Sequence, residues 1–149
     1  MNSEIYNTYI EILESELKPA MGCTEPIAIA LASAKCREIL GKLPQKITAT
    51  CSGNIIKNVK AVLVPNSNGQ KGVEAAAVLG AVAGDSSLGL EVISKASKED
   101  AELTKKLVND GICNVKLKEG VDNLYIEIEQ IADNDRAVVE VISKHDNIT

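Results

Sequence analysis

Between residues 3 and 18, Ile5, Tyr9, Ile12, Leu13 and Leu17 recur at helical spacing while Glu11, Glu14 and Glu16 fall on other faces, which predicts an amphipathic first helix. A loop over 19–25 follows, and residues 26–40 predict a second helix opening with Pro26. Ile27, Ile29 and Leu31, with Ala28, Ala30, Ala32 and Ala34, make its first half apolar on nearly all sides, so that half belongs in the core. Gly41 is placed to end it as a left-handed cap.

The period then changes from helical to alternating. Ile47, Ala49 and Cys51 alternate with Lys46, Thr48, Thr50 and Ser52, the pattern of a strand with one buried face. Residues 53–58 read as a polar break, and 59–64 as a second strand closed by the turn residues of 65–69. Two further helices fit 72–83 and 97–109, the latter opening with the capping-box residues Ser97-Lys98-Glu99-Asp100 and stopping at Gly111. The alternations Cys113/Val115/Leu117, Leu124/Ile126/Ile128 and Ala137/Val139/Val141 predict three more strands, joined by turns into an antiparallel meander. Two helices, two strands, two helices and three strands lack regular βαβ alternation. They predict an α+β fold, helices packed on a mostly antiparallel sheet, as a single domain over 1–149.

Composition narrows the partners. A chain of 149 residues with 45% hydrophobic content can bury a real core. A net charge of −5, with three Tyr and no Phe or Trp, argues against a nucleic-acid surface, which needs cations and stacking platforms. The N-terminus lacks the basic and apolar regions of a signal peptide, and the longest apolar run, 26–34, is far short of a bilayer span. The expectation is a cytoplasmic protein with no membrane partner.

Chemistry concentrates before the second helix, in Gly22-Cys23-Thr24-Glu25-Pro26. Proline suits the start of a helix, and the unpaired N–H groups and dipole of a first turn favour negative charge beside it. A cysteine there has its thiolate favoured, ready for metal ligation or nucleophilic attack. Cys23 reads equally as a small hydrophobe under a loop. Glu25 reads as a general base or as a carboxylate complementing the helix dipole. Asn54, Lys57 and Asn58 follow a strand end at Gly53, where loops present polar groups to ligands, and solvated turn residues would look the same.

The four cysteines, at 23, 36, 51 and 113, show no C-x-x-C spacing, so they form no internal metal motif, and a reducing compartment disfavours disulfides. Cys36, Cys51 and Cys113 fall on apolar faces and are expected in the core. His145, the sole histidine, excludes a two-histidine metal site and reads as part of a solvated tail. Gly69-Gln70-Lys71-Gly72 lacks Walker spacing, so no nucleotide site is assigned.

Three stretches taken together, Pro19-Ala20-Met21-Gly22-Cys23-Thr24-Glu25-Pro26-Ile27-Ala28, Ser52-Gly53-Asn54-Ile55-Ile56-Lys57-Asn58, and Gly80-Ala81-Val82-Ala83-Gly84-Asp85 with Gly89-Leu90-Glu91-Val92, resemble the N-terminal part of the L-cysteine desulfidase family. That family is related to the alpha chain of iron–sulfur L-serine dehydratases. The resemblance implies a [4Fe-4S] enzyme that converts L-cysteine to pyruvate, sulfide and ammonia by β-elimination, its cluster held by three cysteines with one iron open to substrate. Cys23 matches one ligand position, and the others would lie outside this chain. On this resemblance Glu25 and Lys57 are the candidates in this half for the base, with a base in the missing half as the alternative, and Thr24, Asn54 and Asn58 are the candidate contacts to the amino-acid substrate. On this reading the chain is the N-terminal part of a longer enzyme, inactive without its missing C-terminal region or a partner subunit, and the sequence leaves open whether it forms a homo-oligomer. The alternatives are an L-serine dehydratase alpha-chain-like subunit and a non-catalytic binding or assembly module.

Overall fold

A computed structural model describes residues 24–60, 62–64, 67, 69–85, 87, 92–120 and 125–142, without the side chains of Thr24, Glu25 and Ile142. The helix expected over 3–18, Cys23, Leu124 and His145 lie outside the described residues.

The described elements run α1 (Thr24–Leu40), β1 (Lys46–Ser52), α2 (Gly53–Val59), α3 (Gly72–Ala83), α4 (Lys98–Asn109), β2 (Cys113–Lys118), β3 (Tyr125–Ala132) and β4 (Asp135–Ile142). The α+β expectation holds: helices cover one face of a four-stranded sheet of order β2-β1-β3-β4. Helix α1 packs on β3 and β4, α3 reaches β1 and β2, and α4 packs on α3.

Two details of the sheet correct the sequence reading. The last three strands are not a meander, because β1 lies between β2 and β3. β1 pairs antiparallel with β3 and parallel with β2, so the sheet is mixed. A parallel partner needs a long crossover, and α2, α3 and α4 together supply one between β1 and β2.

The second strand expected over 59–64 is absent from the described residues. Residues Gly53–Val59 form α2, and a single bridge between Leu63 and Lys71 is all the pairing recorded there. The reason is visible in the side chains. Ile55 and Val59, one helical turn apart, are both buried, while Asn54, Lys57 and Asn58 are exposed.

Other signals act where they were read. Gly41 sits at φ +83° with its N–H bonded to the Arg37 carbonyl at 2.8 Å, closing α1. Ser97 caps α4: its hydroxyl accepts from the Asp100 N–H at 3.0 Å, and the Asp100 carboxylate accepts from the Ser97 N–H at 2.9 Å. Helix α1 begins at Thr24, two residues before Pro26, so the proline sits inside the first turn, where its missing N–H is still no loss.

The core runs between the helices and the sheet. Ala28, Ile29, Ala30, Ala32 and Ala34 of α1 meet Ala75, Ala76, Ala77, Val78 and Leu79 of α3 and Ile47, Ala49, Ile126, Ile128, Ala137 and Val139 of the sheet in one buried cluster. Glycine makes the α1–α3 crossing close. A Cβ on Gly80 would stand 2.3 Å from the Ala30 carbonyl oxygen, inside any tolerable contact. Across this layer the Ser33 hydroxyl donates to the Ala77 carbonyl at 2.6 Å, and the buried Gln130 amide donates to the Ser33 carbonyl at 2.9 Å and hydroxyl at 2.8 Å.

Candidate functional site

The position of α1 relative to β1 decides which sequence candidates meet. The C-terminal end of α1 is tied to the β3–β4 turn: Lys42 Nζ lies 2.9 Å from Asp135 Oδ2 and 3.5 Å from Asp133 Oδ2. The Gln45 N–H donates to the Ile131 carbonyl at 2.8 Å just before β1 starts. Helix α1 therefore runs back along the sheet, antiparallel to β1. Seventeen residues of helix span roughly 25 Å, about the length of a seven-residue strand. The first turn of α1 thus reaches the end of the sheet where β1 finishes and α2 begins, and α1 and α2 touch.

The topology therefore gathers Thr24 and Glu25, in the first turn of α1, and Asn54, Lys57 and Asn58, on the exposed face of α2, at one end of the molecule. Cys23, outside the described residues, immediately precedes α1 in sequence. A helix of 17 residues carries unpaired N–H groups and the positive end of its dipole at this place, which favours an anion or a thiolate. Asn54, Lys57 and Asn58 add amide donors and a cation. Sequence reasoning found these residues but gave them to a loop. The Ile55/Val59 spacing was the signal for a helix.

Three cysteines are removed from the chemistry. Cys36, Cys51 and Cys113 are free thiols buried in the core. Burial, above all, pushes each thiol up to about 12 from an ordinary 9.0. The Cys36 thiol also donates to the Ala137 carbonyl at 3.2 Å. A thiol so held stays protonated at physiological pH and packs as a small apolar side chain. Among the described residues no group of three or more His, Cys, Asp or Glu side chains could hold a metal ion. A [4Fe-4S] cluster therefore does not fit the described residues by themselves.

A second polar group, not singled out from the sequence, lies at the same end of the sheet on the face away from the helices. Tyr125, the first residue of β3, places its hydroxyl 2.6 Å from Glu140 Oε2 and 3.0 Å from Glu127 Oε1, and Lys118 Nζ lies 5.8 Å from the centre of its ring. Burial, then the hydrogen bonds to Glu140 and Glu127, raise the phenol above its ordinary range. Period-2 alternation could have placed these residues on one face, but not opposite each other.

Comparison with known proteins changes the assignment. The chain is 60% identical over 141 residues to a UPF0597 protein of Finegoldia magna, covering 94% of this chain and 34% of that protein. It is 46% identical over 144 residues to a UPF0597 protein of Lachnoclostridium phytofermentans and 42% identical over 143 residues to one of Treponema denticola, covering 34% and 33% of them. No family model and no solved structure matches.

The chain is similar to UPF0597 proteins. It spans about a third of the length of these relatives and looks like part of a larger protein. The resemblance to the L-cysteine desulfidase family is thereby corrected: no L-cysteine desulfidase name appears among these relatives. Similarity over more than 140 residues outweighs a few short segments such as Gly22–Pro26. No helix among the described residues is long and apolar enough to cross a membrane.

Proposed function

We propose that this chain is one domain of a longer β-eliminating lyase acting on a small α-amino acid, L-cysteine, and that it is inactive alone. The observation that carries the reading is the placement of the α1 start and of α2, which touches α1, at one end of the sheet. An amino-acid carboxylate matches that chemistry: first-turn N–H groups, the amides of Asn54 and Asn58 and the Lys57 ammonium all favour an anion. Thr24 would add a hydroxyl contact.

In the reaction a base takes the α-proton, the Cβ–S bond breaks, and sulfide leaves. The aminoacrylate that remains takes up water to give pyruvate and ammonia. Glu25 and Lys57 are the candidates in this chain for the base. A [4Fe-4S] cluster, ligated in part by Cys23 and otherwise from outside this chain, would supply a Lewis-acidic iron. Burial of the other three cysteines supports Cys23 as the thiolate this chain gives.

The test uses the full-length protein, purified without oxygen, as wild type and Cys23→Ser. Wild type is expected to carry iron and acid-labile sulfide and to release pyruvate and sulfide from L-cysteine faster than pyruvate from L-serine. Cys23→Ser should lose both cluster and turnover while keeping its urea midpoint. A variant that keeps cluster and turnover removes Cys23 from the site, and a wild type with neither cluster nor turnover replaces the lyase by a binding or assembly module. Preference for L-serine would reassign the substrate.

A further inference from the structure

The two edges of the sheet differ in how far they are covered. At β4, Ala137, Val138, Val139 and Val141 are all buried, whereas at β2 Asn114, Lys116, Leu117 and Lys118 are all exposed. Along the helix-side face of β2 the cover recedes: Cys113 is buried, Val115 half-buried and Leu117 54% exposed. Leu117 is thus an apolar side chain left in water on an outermost strand, beside the start of α2, where a Cβ on Gly53 would lie 3.6 Å from its Cδ1.

The backbone of β2 is open on its outer side. β1 and β2 pair in parallel with Ile47 opposite Cys113, and the Ile47 N–H donates to the Ile112 carbonyl at 2.7 Å. A parallel ladder repeats every second residue, so the N–H groups of Asn114, Lys116 and Lys118 turn towards β1. Those of Val115 and Leu117, with their carbonyls, turn away from the sheet, and among the described residues no strand meets them.

Charge selects what would pair there. Lys116 and Lys118 share the face away from the helices, and β2 contains no carboxylate. A second copy of β2 would bring four lysines onto that face and no acid, which is how edge lysines keep like strands apart. A strand with Asp or Glu on that face, and an apolar side chain against Leu117, would be attracted instead. The chain spans about a third of its relatives, so a longer protein has other segments to supply one.

We propose that a strand from the remaining part of the longer protein, acidic on one face and apolar on the other, pairs with β2, covers Leu117 and extends the sheet to five strands. The proposal rests on the chain being part of a larger protein and not on the lyase reading.

The experiment uses the full-length protein and amide hydrogen exchange resolved to single residues. The Lys116 and Lys118 amides, bonded to β1, serve as an internal reference, since they are protected whatever lies outside β2. Wild type is expected to protect the Val115 and Leu117 amides to within tenfold of that reference, at a level independent of protein concentration. Reversing the charge, with Lys116→Glu and Lys118→Glu together, should speed exchange at Val115 and Leu117 at least tenfold and leave the Asn114 amide unchanged. Val115 and Leu117 amides that exchange as freely as those of an unfolded chain overturn the proposal, because the edge is then open in the whole protein. Protection that falls on dilution, with a dimeric mass by light scattering, overturns it in favour of a second copy. Protection that survives the charge reversal overturns the acidic strand. None of these readouts depends on turnover, so the proposal fails or stands apart from the lyase reading.

Discussion

On the face covered by α1 and α3, β1 presents Ile47, Ala49 and Cys51, and the neighbouring strands present Ile126, Ile128, Ala137 and Val139, all fully buried. On the other face the same strands present Thr48, Thr50, Glu127, Glu129, Arg136 and Glu140, half-buried around the buried Tyr125 and Val138, with Arg136 held against Glu129 and Glu127 and Glu140 held by Tyr125. One face is stabilised by the fit of small side chains and the other by compensation of charge, so they should fail differently when perturbed. The first should respond to volume and to the titration of buried thiols. The second should respond to loss of a hydrogen-bond donor, and more weakly.

The largest effect is expected at Gly80. In most helices Gly→Ala stabilises, since glycine costs roughly 1 kcal/mol relative to alanine. Here the added Cβ would meet the Ala30 carbonyl oxygen at 2.3 Å and the Ala30 Cα at 2.8 Å, both backbone atoms that cannot turn aside. Gly80→Ala should therefore destabilise by roughly 3 kcal/mol or more, and Gly80→Val further still. Urea unfolding followed by far-UV circular dichroism measures it. A Gly80→Ala protein as stable as wild type would show that the α1–α3 crossing is not as close as drawn.

The covered face should also fail in alkali. Cys36, Cys51 and Cys113 are raised from 9.0 to about 12 by burial. The folded protein therefore holds these protons more tightly than the unfolded chain. Their contribution is fully present below pH 9 and is lost as pH rises from 9 towards 12. Each thiol loses on the order of 1 kcal/mol per pH unit in that window, so the three together amount to roughly a few kcal/mol by pH 10. Urea midpoints at pH 8 and 10 in excess reductant give the sum. Cys36→Ala isolates one share, because the loss between those pH values should shrink by about a third. An unchanged loss would mean that other groups dominate.

The covered face is also where the sequence was most readable. Alternation in β1, the apolar first half of α1, Gly41 and the Ser97 capping box each act through neighbours close in sequence, and the three core cysteines followed from the faces they occupy. Helix α2 was misread because seven residues beginning with Gly53 and Asn54 give too short a run to separate a helical period from a turn. The place of β2 was misread for a different reason. Its choice of a parallel partner depends on a crossover of three helices, which no local pattern encodes. The candidate site shares this limit: Glu25 and Lys57 could each be picked out, but their arrival at one end of the sheet follows from sheet order and from where Lys42 ties α1 down.

The smallest effect is expected on the face away from the helices, at Tyr125. Its single hydroxyl hydrogen serves Glu140 at 2.6 Å and Glu127 at 3.0 Å, two carboxylates that stand opposite each other in register. Tyr125→Phe keeps the ring and its neighbour Lys118 but removes the donor. The loss should be about 1–2 kcal/mol near pH 7, the range for a hydrogen bond to a charged group. Its pH dependence carries a sign. Burial and the two carboxylates raise the Tyr125 phenol above its ordinary value of 10.0, so the tyrosine's contribution is complete below pH 10 and declines above it. The gap between wild type and Tyr125→Phe should therefore narrow as pH climbs past 10. A gap that widened in alkali would mean that the phenolate is the favoured form, and Glu127 and Glu140 could not then be its partners.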